Sequence, residues 1–160
     1  MSHCPAGFSK RGRGERALIE EFLIAPCGFN CRVCAQYQKV KDACPGCMLR
    51  STKKSRICIL KNCHKESRRD PVRCTGCTAL PCARLRQFDA RYQERTRGYL
   101  SVIQNLRLME EKGIEAFLAM EEKKWHCPQC GAWLCVSSHM CTACGYVYRE
   151  PWEKNKGGNK

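Results

Sequence analysis

Two short cysteine motifs near the C-terminus have the spacing of metal ligands. They read Cys127-Pro-Gln-Cys130-Gly and Cys141-Thr-Ala-Cys144-Gly, and ten residues separate them. Two residues between the cysteines let backbone amides point at the sulfur atoms, and the glycine that follows permits the positive φ of the turn. Two such knuckles that face each other supply four thiolates in a tetrahedron. We therefore predict that these four cysteines bind one zinc ion as a zinc ribbon.

Iron is the alternative metal at this C-terminal site. The second motif, which continues as Tyr146-Val-Tyr148, resembles a rubredoxin knuckle, and so does the first. Their order is reversed, however, and the spacer is much shorter than in a rubredoxin. Tetrahedral sulfur fits either metal, so the short spacer is what favours a zinc ribbon. Cys135 and His139 lie between the knuckles, and both stay unassigned because one site needs only four ligands.

A larger set of cysteines lies between residues 27 and 82. Its ten members are Cys27, Cys31, Cys34, Cys44, Cys47, Cys58, Cys63, Cys74, Cys77 and Cys82. The simplest partition places one metal within residues 27–47 and another within residues 58–82, and an interleaved arrangement is equally allowed by the spacing. With the ribbon, this set predicts about three zinc ions per chain. His64, beside Cys63, could replace a thiolate, and a solvated side chain is the favoured interpretation.

A 4Fe–4S cluster in residues 27–82 is the alternative cofactor. The spacing of Cys27, Cys31 and Cys34 is the one that radical S-adenosylmethionine enzymes use. Only 126 residues follow Cys34, whereas the barrel for that chemistry needs ~200 or more. Val33 also stands where an aromatic residue is usual. These points exclude radical chemistry and leave an iron–sulfur protein for electron transfer or redox as the second hypothesis.

The chain is strongly basic, and most of the excess lies among these cysteines. The formal net charge is +14, and residues 25–86 carry 14 basic against 3 acidic side chains. A zinc ion with four thiolates has a net charge of −2, so three such sites leave about +8, which still permits nucleic-acid binding. The candidate phosphate contacts are Lys53, Lys54, Arg56, Lys61, Lys65, Arg68, Arg69 and Arg73. The alternative is a solvated surface that balances the thiolate charge.

Several other classes of protein are not indicated. The apolar run within residues 16–26 contains two glutamates, unlike a secretory signal, and no stretch approaches the ~18 to 20 apolar residues of a membrane span. The sequence has no convincing acid/base pair or phosphate loop, and carboxylates are sparse in the cysteine region. We therefore expect a soluble, cytoplasmic, non-enzymatic metalloprotein without a small-molecule substrate, whose partner is nucleic acid or another protein.

Apolar residues at helical spacing predict the elements that position these cysteines. The predicted helices cover residues 15–24, 33–40, 81–92, 99–109 and 114–118. Gly113 suits the C-terminal cap of the fourth helix. Residues 42–82 have almost no periodic pattern, so we expect them to form knuckles and loops that bound metal holds together.

These elements suggest a small α-rich (α+β) metal-stabilised fold, in which a cysteine-knuckle domain and a helical layer precede the C-terminal zinc ribbon. Residues 1–13 are predicted to be a disordered basic tail. The cysteine-rich domain covers residues 14–86, the helical segment packed on it covers 87–124, and the ribbon covers 125–148. Residues 149–160 are expected to be a flexible tail.

The order of the N-terminal motifs resembles a known family. The order begins with Ala25-Pro-Cys27-Gly-Phe-Asn-Cys31-Arg-Val-Cys34. It continues with Cys44-Pro-Gly-Cys47, with Cys58 and Cys63 separated by four residues, with Cys74-Thr-Gly-Cys77 and with Pro81-Cys82. This order is similar to that of the cysteine-rich bacterial and archaeal family called domain of unknown function thirty-seven ninety-five. The resemblance covers residues 24–86, with the ribbon as an extension, although the loop between Cys34 and Cys44 is short. It implies bound zinc or iron and no substrate.

Overall fold

The computed structural model describes residues 19–48, 58–61, 63 and 73–148. Within them, the main elements are two α-helices, α1 (Ala83–Thr96) and α2 (Val102–Trp125), preceded by single 3-10 turns at Glu21–Leu23 and Cys31–Val33. Extended pairing in this part of the chain consists of three isolated antiparallel bridges: Ile24 with Asn30, His126 with Trp133, and Met140 with Val147. The protein is therefore small and mostly helical with little strand, which confirms the α-rich character of the predicted fold.

Helix α1 forms where the sequence predicts a helix after Pro81. Its apolar stripe contains Leu85, which is fully buried, and the half-buried rings of Phe88 and Tyr92. Cys82 is the N-cap. At the other end Arg97 adopts a left-handed conformation, and its N–H donates to carbonyls of the last turn. The 3.6-residue periodicity thus identified the face that packs on the core.

Helix α2 begins beside a buried carboxylate of α1. Ser101 is its N-cap and accepts a hydrogen bond from the amide of Gln104. Asp89 of α1 accepts hydrogen bonds from the amides of Val102 (2.6 Å) and Ile103 (3.3 Å), two of the donors that a helix start leaves unpaired. Gly113 has φ 80° and ψ 165° and divides α2 into two helical stretches. The predicted break at Gly113 is confirmed.

Two of the predicted helices are wrong over the residues that the structure describes. Residues 19–24 form only the 3-10 turn Glu21–Leu23, and residues 33–40 form turns, with Val40 exposed at 60%. The backbone around Cys27 instead closes a small hairpin, in which the amide of Ala25 donates to the carbonyl of Phe29 at 2.8 Å. Isolated helices of this length are marginal in water, so local hydrogen bonds of the cysteine loops override the weak periodicity.

One core joins the cysteine-rich segment, the helices and the C-terminal knuckles. Its largest fully buried side chains come from all three parts and include Ile24, Leu85, Leu106, Phe117, Trp125 and Leu134. A buried carboxylate links them further, since Glu121 accepts hydrogen bonds from Asn30 (3.0 Å) and from the indole N–H of Trp125 (2.9 Å). Among the described residues, no helix combines the length and the apolar character needed to cross a membrane. The two predicted tails lie outside the described residues.

Candidate metal centre

Four sulfur atoms meet at the C-terminal knuckles. The Sγ atoms of Cys127, Cys130, Cys141 and Cys144 all lie within 4.8 Å of one another. The Cys127–Cys144 and Cys130–Cys141 sulfur pairs are each 3.6 Å apart. A zinc ion with bonds to sulfur of ~2.3 Å in a tetrahedron requires sulfur atoms about 3.8 Å apart. The four cysteines therefore form a group that can hold a single metal ion with little movement.

The two knuckles have the same backbone geometry, which explains why the sulfurs converge. In each, the amide of the first cysteine donates to the carbonyl five residues on, and the glycine amide donates back to that cysteine's carbonyl. These bonds are Cys127 N to Ala132 O (2.8 Å), Gly131 N to Cys127 O (2.8 Å), Cys141 N to Tyr146 O (2.7 Å) and Gly145 N to Cys141 O (2.9 Å). Both glycines have positive φ, +70° and +78°, as the motif predicted.

The electrostatics of the four thiols favour binding of a cation. Burial opposes ionisation of Cys127, but amide and thiol hydrogen bonds outweigh it and lower its pKa to about 7. Desolvation of its sulfur among the other thiols, together with hydrogen bonds that the Cys130 thiol donates to its neighbours, raises the pKa of Cys130 to about 12. Burial likewise raises the pKa of Cys141. The thiolate of Cys127 thus forms readily while Cys130 and Cys141 resist ionisation, and a bound divalent cation removes that resistance.

The group is fixed to the rest of the molecule on its buried side. Cys127 and Cys141 are buried, whereas Cys130 and Cys144 are exposed. The chain between the knuckles is anchored by hydrogen bonds from the amide of Leu134 to the carbonyl of Trp125 and from the amide of Val136 to the carbonyl of Val33, both 2.8 Å. A metal at this position would stabilise a layer that already packs on α2 and on the N-terminal segment.

The two residues left unassigned between the knuckles do not join the sulfur group. Cys135 is buried and disulfide-bonded, so its sulfur is not a metal ligand. The backbone carbonyl of His139 accepts a hydrogen bond from the amide of Tyr148 (3.1 Å). Neither residue belongs to the group of four close ligand atoms.

The N-terminal cysteines are more loosely arranged. Over the described ranges, which include all ten of them, only the C-terminal set brings three or more ligand atoms within 4.8 Å of one another. Cys31 and Cys47 are nevertheless in contact, since the Cys47 amide donates to the Cys31 sulfur at 3.3 Å. A thiol hydrogen bond from Cys31 lowers the pKa of Cys47 to about 7 and raises that of Cys31.

Further cysteines surround this pair. Burial raises the pKa of Cys27 and of Cys34, and the neighbouring Cys47 adds to the rise in both. Burial, with Cys34 and Cys27 nearby, also raises the pKa of Tyr92 on α1 to about 12. Cys27, Cys31, Cys34 and Cys47 therefore share one neighbourhood, beside the aromatic face of α1. Four of the remaining cysteines, Cys63, Cys74, Cys77 and Cys82, line a cavity, and Cys74 also lies near Cys27, as Cys58 does.

The predicted nucleic-acid contacts fall mostly outside the described residues. This applies to Lys53, Lys54, Arg56, Lys65, Arg68 and Arg69. Lys61 is half-buried. Arg73 is only 6% exposed and forms an ion pair with Glu21 (2.7 Å). The Arg73 guanidinium is therefore buried and paired with a carboxylate, and the phosphate contacts as a set stay a prediction.

Several positioning residues have no signal in the sequence. Glu110 of α2 accepts a hydrogen bond from the amide of Gly76, in the loop between Cys74 and Cys77 (2.8 Å). Asn105 donates to the carbonyl of Gly28, beside Cys27 (2.9 Å). Both bonds join residues far apart in the chain, so only the fold reveals them. Helix α2 thus holds two cysteine loops through polar side chains.

Comparison of the chain with protein-family models, with curated proteins and with solved structures finds no match. The functional conclusion therefore rests on the chemistry and geometry of the cysteine groups.

Proposed function

We propose that this protein binds about three metal ions, zinc at the C-terminal site, through four-thiolate centres and acts as a binding module. The observation that carries the proposal is the convergence of four cysteine sulfurs, two pairs of them 3.6 Å apart, at the C-terminal knuckles. That spacing fits one ion bound directly to four thiolates. Zinc is favoured over iron because closed four-thiolate sites with this knuckle spacing are typical of structural zinc.

The proposed role is structural support of a binding surface, without catalysis. Four protein thiolates fill a tetrahedral site and leave no position for water or substrate, unlike catalytic zinc sites, which keep one open. The knuckles resemble those of a zinc ribbon, and the N-terminal motifs support membership of domain of unknown function thirty-seven ninety-five. Thiols at the fourteen proposed ligand positions fit a reducing compartment such as the cytoplasm, with the disulfide of Cys135 as the exception.

The partner that the charge favours is nucleic acid. The chain carries a net charge of +14, and about +8 remains after three tetrathiolate zinc sites. If phosphate contacts are made, the logarithm of the affinity for a double-stranded DNA or RNA probe falls linearly with the logarithm of the salt concentration. Fluorescence anisotropy from low to physiological salt measures this slope. An absence of binding at low salt would assign the basic residues to charge balance and leave protein partners.

Removal of metal is the experiment that tests the binding module. We expect a strong chelator, applied anaerobically to the full chain, to abolish the cooperative thermal transition and reduce the helical circular dichroism signal. Added zinc should restore both. The reason is that each structural zinc contributes about 10–16 kcal/mol of apparent binding free energy, comparable with the whole stability of a small domain. Unchanged circular dichroism after complete removal of metal would contradict the proposal. Recovery of both signals with iron and sulfide alone would support the iron–sulfur alternative.

A further inference from the structure

We propose that Cys63, Cys74, Cys77 and Cys82 hold a metal ion of their own, in front of the first turn of α1. This inference deepens the proposed function and rests on it, because it assigns ligands to one centre among cysteines whose spacing leaves the partition open. The assignment is carried by a cavity, by the hydrogen bonds of the loop that lines it and by its place at a helix start.

The cavity has the size and lining of a site for a single ion. All four cysteines line it, together with Leu60, Ala79, Leu80, Leu85 and Arg84. Its volume is about 20 Å³, and roughly 10–15 Å³ is enough for one water molecule. The cavity therefore has room for a single ion. No three of its sulfur atoms lie within 4.8 Å of one another, so binding would draw the four cysteines together. Leu60, Leu80 and Leu85 give the cavity a largely apolar wall, which strengthens metal–thiolate attraction.

The loop that carries Cys74 and Cys77 is held from two sides. The Cys74 amide donates to the carbonyl of Pro26 (2.8 Å), which ties this loop to the hairpin around Cys27. Gly76 has φ +69°, and its amide donates to Glu110 of α2. Inside the loop, the Cys77 amide donates to the Cys74 carbonyl at 3.2 Å. Two ligands separated by two residues are thus presented on an anchored turn, as in the C-terminal knuckles.

The remaining two cysteines lie where charge and chain path support a thiolate site. Cys82 is the N-cap of α1 and lines the cavity, so the start of this helix positions one of the four proposed ligands. Arg84 in the first turn also lines the cavity and contributes a full positive charge. Cys63 comes from the segment before the loop, so a bound ion would fasten that segment to α1.

The lining of the cavity distinguishes these four cysteines from the other six, and among the four Cys74 also lies near Cys27. Cys31 and Cys47 contact each other, and neither lines the cavity. Cys58 does not line it either, and its sulfur accepts a hydrogen bond from the amide of Lys61 (3.5 Å). Of the five cysteines between residues 58 and 82, the cavity therefore selects four and leaves Cys58 outside.

Metal counting in variants of the full chain tests this assignment. Each protein is loaded with zinc anaerobically, and bound zinc per folded chain is measured by native mass spectrometry. We expect Cys77→Ser and Cys82→Ser each to lose one zinc, and the double variant of both to lose the same single zinc. Cys77→Ser combined with Cys130→Ser should lose two, since Cys130 belongs to the C-terminal site. The matched control, Cys58→Ser, should keep the wild-type count.

The contrary results are equally specific. Retention of every zinc by Cys77→Ser, or loss of two by Cys77→Ser with Cys82→Ser, would overturn the assignment. So would loss of a zinc by Cys58→Ser. A wild-type chain that binds one zinc at the C-terminal knuckles would overturn this inference and leave that site intact. A wild-type chain that binds no metal would overturn the proposed function itself.

A second measurement needs no variant and so does not depend on whether a variant folds. The zinc-loaded wild-type chain is treated with a thiol alkylating reagent during stepwise chelation, and modified cysteines are located by mass spectrometry. We expect Cys63, Cys74, Cys77 and Cys82 to be protected at first and to become reactive together, in one step. Reaction of Cys63 or Cys82 in the fully loaded protein, or release of Cys74 and Cys77 in different steps, would overturn the assignment.

Discussion

Replacement of one exposed ligand separates metal binding from ordinary packing at the C-terminal site. Cys130 is exposed, so Cys130→Ser removes a sulfur and very little buried surface. A substitution at an exposed position normally changes the free energy of unfolding by no more than about 0.5 kcal/mol. A larger loss would therefore report a lost ligand rather than lost packing.

The size of the expected loss follows from the ligand count. Structural zinc contributes about 10–16 kcal/mol of apparent binding free energy at pH 7, shared here by four thiolates, so one ligand corresponds to roughly 3 kcal/mol. That is a factor of about 100 in the apparent zinc affinity. In the presence of zinc, the expected loss in the free energy of unfolding is thus several times larger than the packing effect of an exposed substitution.

Urea unfolding of the full chain, followed by tryptophan fluorescence, measures the effect. Trp125 and Trp133 flank the first knuckle and report on it. Ala143→Ser is the matched control, because Ala143 is exposed and lies between two ligands without being one. In the presence of zinc, we expect Cys130→Ser to lower the free energy of unfolding by roughly 3 kcal/mol. The control should stay within about 0.5 kcal/mol of the wild type. Equal stability of Cys130→Ser and the control in zinc would refute the reasoning.

Three further predictions concern the fold that positions the cysteines. Gly28→Ala should lower the free energy of unfolding in urea by about 2–4 kcal/mol, because Gly28 has φ +82° and the new Cβ would lie 2.8 Å from a Leu106 carbon. The control Gly98→Ala, at φ +77° but in open space, should lower it much less. Equal losses in the two variants would argue against the clash. Asp89→Ala should lower the free energy of unfolding by about 3 kcal/mol, since the amides at the start of α2 lose their acceptor. A loss below about 1 kcal/mol would contradict this role of Asp89. Burial raises the pKa of Glu121 above its ordinary value of 4.5. The difference in free energy of unfolding between the wild type and Glu121→Gln should therefore fall as the pH rises through 4.5. It should level off above the raised pKa. A constant difference between those two proteins from pH 4 to 8 would show that Glu121 does not titrate in this way.

Local patterns predicted the features that depend on a few neighbouring residues. The spacing of the C-terminal knuckles identified a sulfur group, because two C-x-x-C-Gly turns impose the same backbone geometry wherever they occur. The stripe of Leu85, Phe88 and Tyr92 predicted α1, and Gly113 predicted the break in α2. In these places the local propensity and the final structure agree.

Features that depend on contacts distant in sequence could not be predicted. The ten cysteines between residues 27 and 82 offer many partitions, and the path of the chain, not the spacing, brings Cys63 beside Cys82. Arg73 looks like any other basic residue in the sequence, yet in the structure it is buried and paired with the exposed Glu21. The apolar residues near position 20 suggest a helix, but the hairpin of the first cysteine loop competes successfully for the same backbone.

The metal content of the wild-type chain tests the central claim most directly. The protein is purified anaerobically without added metal, and zinc and iron per chain are measured together with an absorption spectrum of the same sample. The account predicts about three zinc ions, little iron and no visible absorption band. Several iron atoms with broad visible absorption, or a folded chain with no bound metal, would contradict it.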